Sequence, residues 1–133
     1  MSNIVWKYIV PLNENDSVEK YEKWSGLSLP DDLKTLVMTN NAGMPDICVF
    51  DTETSKNKVL KGLLSFNESD SENVYEFTEV LRDYGFDHLI PFALDPFGNV
   101  ICAENEKIVF WDHETKETEH AANSISEFMN QLY

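Results

Sequence analysis

Apolar residues along the chain change their spacing several times, and each change marks an element. Residues 4–10, IVWKYIV, are β-branched and aromatic and stop at Pro11, which predicts a strand. After the loop NENDS, where Asp16 or Ser17 can cap, Val18, Tyr21 and Trp24 recur at helical spacing until Gly26. Pro30 opens a second helix, with Asp31 and Asp32 in its first turn and Leu33, Leu36 and Val37 as the buried stripe. The run Asn40-Asn41-Ala42-Gly43, with residues tolerant of left-handed backbone, stops it. Residues 46–51 read as a strand, TETSKNK as a turn, and VLKGLLSF as another strand, with a helix as the alternative.

Ser69-x-x-Glu72 has the spacing of a capping box, and Val74, Phe77, Leu81 and Tyr84 follow on one helical face that Gly85 closes. The period then switches from helical to strand-like. LIPFAL, NVICAE and KIVFWDH are short strands joined by Asp95-Pro96-Phe97-Gly98 and by Asn105-Glu106, the pattern of an antiparallel meander. Ser124-x-x-Glu127 caps a final helix that buries Ile125, Phe128, Met129 and Leu132. The order β-α-α-β-β-α-β-β-β-α clusters strands instead of alternating them with helices. It predicts an α+β fold with a mainly antiparallel sheet and about four helices.

A length of 133 residues fits a single domain over 1–133, and 42% hydrophobic residues are enough for one core without disulfide or metal support. Cys48 and Cys102 lie in the apolar runs ICVF and VICAE, where cysteine behaves as a small hydrophobe, so both thiols are expected buried and reduced. The N-terminal MSNIVWKYIV lacks a basic region followed by a long apolar one, and no apolar run reaches membrane-spanning length. The expected location is therefore the cytoplasm. The formal net charge of −14 changes the picture most. It repels nucleic acid and anionic membranes, and it steers encounter with a basic protein.

Chemistry is harder to find. The five glycines start no phosphate-binding loop, and His88, His113 and His120 match no zinc spacing with the two cysteines. His113, beside Asp112 and Glu114, reads as a solvated residue at a strand end. Asp51-x-Glu53-x-Ser55 starts like a calcium loop, but Lys56 stands where its glycine belongs and Gly62 where its closing glutamate belongs. No catalytic, cofactor or metal residue is assigned, and the protein is not expected to be an enzyme. The acids themselves are patterned. From Gly62 to Leu81 there is no Lys or Arg, while Glu68, Asp70, Glu72, Glu76 and Glu79 all occur. On a helix, Glu72, Glu76 and Glu79 would share a face opposite Val74, Phe77 and Leu81. These acids, with loop residues Glu68 and Asp70, are the candidate partner-binding surface.

The order of motifs resembles the SUKH superfamily, which includes bacterial toxin-immunity proteins and the yeast regulators of cell-wall synthesis. Leu29-Pro30-Asp31-Asp32-Leu33-Lys34 followed by Asn40-Asn41-Ala42-Gly43 is similar to the family's proline-started helix and its glycine-rich stop, with Ala42 where glycine is common. Leu89-Ile90-Pro91-Phe92-Ala93, with Asp95 and Gly98-Asn99, resembles its central strand and turn. Ile108 to Glu114 resembles the next strand, and Ala122 to Phe128 the closing helix. The resemblance implies a curved sheet with helices packed around it and no catalytic residues. In a bacterium it implies binding and neutralising a cognate toxin, often a nuclease; the alternative is a non-enzymatic regulator or scaffold of the yeast type.

Overall fold

A computed structural model describes residues 4–133. Its helices are α1 (Ser17–Ser25), α2 (Asp31–Asn40), α3 (Val74–Asp83) and α4 (Ile125–Gln131). Short strands β1 (Trp6–Lys7) and β2 (Met44–Pro45) pair antiparallel, as do β3 (Val49–Phe50) and β4 (Lys58–Val59). The main sheet has five strands in sequence order: β5 (Gly62–Leu63), β6 (Ile90–Leu94), β7 (Val100–Glu104), β8 (Lys107–Trp111) and β9 (Thr118–Ala122). Every neighbouring pair in it is antiparallel. The fold is the mixed α+β architecture that the clustering of strands predicts.

The central strands are apolar along their whole length because both faces are covered. Phe110 and Trp111 are adjacent on β8 and so point to opposite faces. The Phe110 ring lies 6.2 Å from Phe50, which in turn stands 5.2 Å from Phe128 of α4. The Trp111 ring meets Tyr84 and Phe86, which follow α3, at 5.9 and 6.0 Å. Helix α3 packs on β6, α1 on α3, and α4 on β8 and β9. Pro91 lies in β6 where the register with β7 shifts, a position at which its missing N–H interrupts no regular ladder.

Turn chemistry fixes the meander. Asp95, nearly buried, accepts the backbone N–H groups of Phe97 and Asn99 through Oδ1 at 2.9 and 2.8 Å. Gly98 takes a φ of +90°, open to glycine without strain. His113 is not a free strand-end residue: its backbone N–H and its Nδ1 both meet Asn99 Oδ1, at 3.0 and 2.7 Å, and clamp this turn.

Several expectations need correction. The strand expected over residues 4–10 shrinks to Trp6–Lys7, because Tyr8 adopts a φ of +60° and turns the chain away. Val5, Tyr8, Ile9 and Val10 are consequently exposed. The segment VLKGLLSF is extended, contributing to β4 and β5. Strand β9 was not expected, since TEHAA lacks β-branched and aromatic side chains after its first residue. Helix α2 ends with Asn41 at φ −46°; it is Ala42, at φ +61°, that occupies the left-handed position. Trp24 lies 44% exposed, its ring 4.9 Å from Tyr75 and beneath the Arg82 guanidinium. Cys102 is buried in β7, but Cys48 lies half-buried just before β3. Both thiols are free.

Candidate partner-binding surface

The acidic loop before α3 is built on three asparagines whose side chains each accept one hydrogen bond and donate two. Buried Asn41 accepts the Phe66 N–H through Oδ1 at 2.8 Å and donates through Nδ2 to Val10 O and Ser65 Oγ. Asn67 accepts from Asn13 N and donates to Pro11 O and Asp70 Oδ2. Asn73 accepts from Glu76 N at 2.9 Å and donates to the backbone carbonyls of Glu68 and Asp70. Buried amides left unpaired would each cost about 1–3 kcal/mol, so this network holds the N-terminal arm, the end of α2 and the loop in one arrangement.

This network redistributes the five candidate acids. Glu76 and Glu79 stand exposed on α3, three residues apart on one face, as their spacing predicts. Glu68 is exposed in the loop. Glu72 is not on the helix. Asn73 caps α3 from an extended conformation, and Glu72 precedes it at φ +52°. The capping box is displaced because Asn73 itself offers a good cap acceptor one residue further on. The Glu72 carboxylate meets Lys61 Nζ at 2.7 Å. The stretch that lacks lysine in sequence therefore has one in space. Asp70 is half-buried, and its Oδ2 accepts from Ser65 Oγ at 2.7 Å and Asn67 Nδ2 at 3.0 Å.

Asp70 and Glu72 also line a groove of about 250 Å³, together with Val10, Met44, Leu63 and Leu94. The sequence hid this groove, because its lining comes from separate segments of the chain. One available signal was Lys7, a charge inside the run IVWKYIV that argues against burying the whole run.

Elsewhere the chemistry is structural. Tyr21 Oη and Thr78 Oγ1 meet at 2.7 Å inside the core, and burial pushes the Tyr21 pKa up to about 12. Burial also raises the Cys102 thiol, with Glu104 adding to the effect. The Tyr133 hydroxyl and then the Asn57 N–H hold the Asp51 carboxyl below its ordinary range. Among the described residues, no group of three or more His, Cys, Asp and Glu is arranged to hold a metal ion, and no helix is long and apolar enough to cross a membrane.

The chain is a mixed α+β protein with an antiparallel meander and a proline-started α2. Residues 13–131 match the SMI1 / KNR4 family (SUKH-1), and the chain belongs to that family. A crystal structure of a protein from Pseudomonas syringae pv. tomato shares the fold, with a TM-score of 0.60 at 17% identity over 93% of this chain and 86% of that one. No curated protein matched at the significance required.

Proposed function

We propose that this chain is an immunity protein that binds and neutralises a cognate toxin domain of basic character in the cytoplasm, a nuclease being the class its charge suits best. The observation that carries the reading is a formal net charge of −14 on a member of the SMI1 / KNR4 (SUKH-1) family. Members of that family are generally non-enzymatic immunity or regulatory proteins. A basic nuclease groove is filled by an acidic protein through opposed charge, and nucleic acid is excluded from it. The docking surface begins at Glu68, Glu76 and Glu79 and continues through Asp70 and Glu72.

The test is coexpression with any toxin domain found encoded beside its gene, followed by binding kinetics. The wild-type chain is expected to restore growth and to copurify with the domain. Reversing Glu68, Glu76 and Glu79 to lysine is expected to slow association more than it speeds dissociation. The effect should fade once salt shortens the Debye length well below about 10 Å. Absence of both rescue and complex would overturn the reading in favour of a regulator or scaffold.

A further inference from the structure

Resting on that reading, we infer that the groove between the N-terminal arm and the loop before α3 receives an arginine side chain of the partner. Its volume of about 250 Å³ falls below the roughly 300–1,000 Å³ of small-molecule sites, which suits one long side chain. Its apolar lining is buried Leu63 and Leu94 with Val10 and Met44 at the exposed rim, and it carries Asp70 and Glu72 against one lysine, Lys61. An apolar lining that also carries carboxylates matches a side chain with an aliphatic stem and a cationic head. Arginine fits better than lysine, because its planar fork can meet two carboxylates and is less strongly hydrated.

The arrangement is prepared before any partner arrives. Both hydrogen bonds to the Asp70 side chain, from Ser65 and Asn67, go to Oδ2, and Ser65 is itself held by buried Asn41. The carboxylate is thereby fixed at the groove without ordering cost on binding. At the rim, Val10 is 39% exposed and Met44 38%, apolar surface on a strongly acidic molecule. The charge of the whole molecule selects a cationic occupant, and the rim supplies the apolar contact that acids alone lack.

The probe is a blocked leucyl-arginine dipeptide titrated into the isotope-labelled full chain, read by amide chemical shifts. Saturable shifts are expected at Val10, Met44, Leu63, Asp70 and Leu94, with none there from a blocked leucyl-glutamate. Asp70→Asn keeps an acceptor for Ser65 and Asn67, and is expected to weaken the dipeptide about tenfold. Glu72→Gln, at an exposed position, should weaken it in the same direction, while Glu106→Gln, the same charge change on the β7–β8 turn, should not. Shifts scattered over all acidic surfaces, or equal weakening by Glu106→Gln, would overturn the inference. So would a dimer in sedimentation that Val10→Asp dissolves, since the groove would then face a second copy. The dipeptide reads the groove whether or not a toxin domain binds, so failure here and failure of the immunity reading are separable.

Discussion

Tyr21 places a hydroxyl in the core, where it meets the Thr78 hydroxyl at 2.7 Å. Tyr21→Phe leaves Thr78 unpaired and should cost about 1–3 kcal/mol in urea unfolding at neutral pH; Tyr21→Phe with Thr78→Val should recover much of it. The pH dependence has a definite sign. The folded state keeps the Tyr21 proton up to about pH 12, whereas the unfolded chain releases it near 10.0. The folded state therefore binds more protons between these values, and stability should fall with rising pH across that window by about 1.4 kcal/mol per pH unit. Cys102 acts the same way from near its ordinary 9.0 upward. Tyr21→Phe should remove its own share of the alkaline loss, measured by urea midpoints across the alkaline range. A thiol reagent added to native protein should label Cys48 and spare Cys102, whose labelling waits for unfolding. At Gly43, an added Cβ would lie 2.9 Å from the Asn40 carbonyl oxygen and 3.1 Å from the Trp6 ring. Backbone cannot yield as a side chain can, so Gly43→Ala should destabilise by about 1–3 kcal/mol.

Among elements, the start of α3 separates two kinds of polar residue. Asn73→Ala removes the cap and the two donations that shape the loop, and should cost at least about 1–2 kcal/mol by thermal denaturation. Glu72→Ala removes only a solvent-exposed pair with Lys61 and should cost under about 1 kcal/mol. Equal losses would mean that Glu72 carries the cap after all. The contrast also shows what the sequence allowed to be read. Helices came through because Pro30, Gly26, Gly85 and Ser124 act locally, and Ser124 Oγ accepts the Glu127 N–H as its spacing implies. Strands β6 to β8 came through because their apolar runs are bounded by turn residues with one backbone solution. Residues 4–10 misled because strand propensity is realised only where a partner edge exists, and β2 offers two residues. Strand β9 was hidden because TEHAA is held by its ladder with β8, and by the Glu53–His120 backbone and side-chain bonds at its outer edge, rather than by propensity.

For the whole molecule, acidity was legible as a total and only partly as a surface. The spacing of Glu76 and Glu79 placed them correctly on one helix face. Asp70 is held by its near neighbours Ser65 and Asn67, and Glu72 by the more distant Lys61, pairings that the turn of the loop makes and residue spacing alone does not give. The apolar groove was invisible because Val10, Met44, Leu63 and Leu94 come from four separate segments. A surface made this way combines long-range attraction with a short-range fit. Salt should therefore act mainly on the rate of encounter, and groove substitutions on the lifetime of a complex, a division that stopped-flow mixing can resolve.

The packing of α2 against α4 sets the timetable of synthesis. Leu33 and Val37 leave the ribosome before the helix that helps cover them, which follows the whole sheet in sequence. Helix α1 likewise waits for α3, and both wait for a meander that lies entirely in the second half of the chain. A nascent chain stalled before β6 should therefore be sensitive to protease and lack a cooperative melting transition, whereas one that has emerged through α4 should gain resistance in one step. If the proposed function holds, a partially translated copy would protect nothing, and the stock of this protein would have to be folded before its toxin is made.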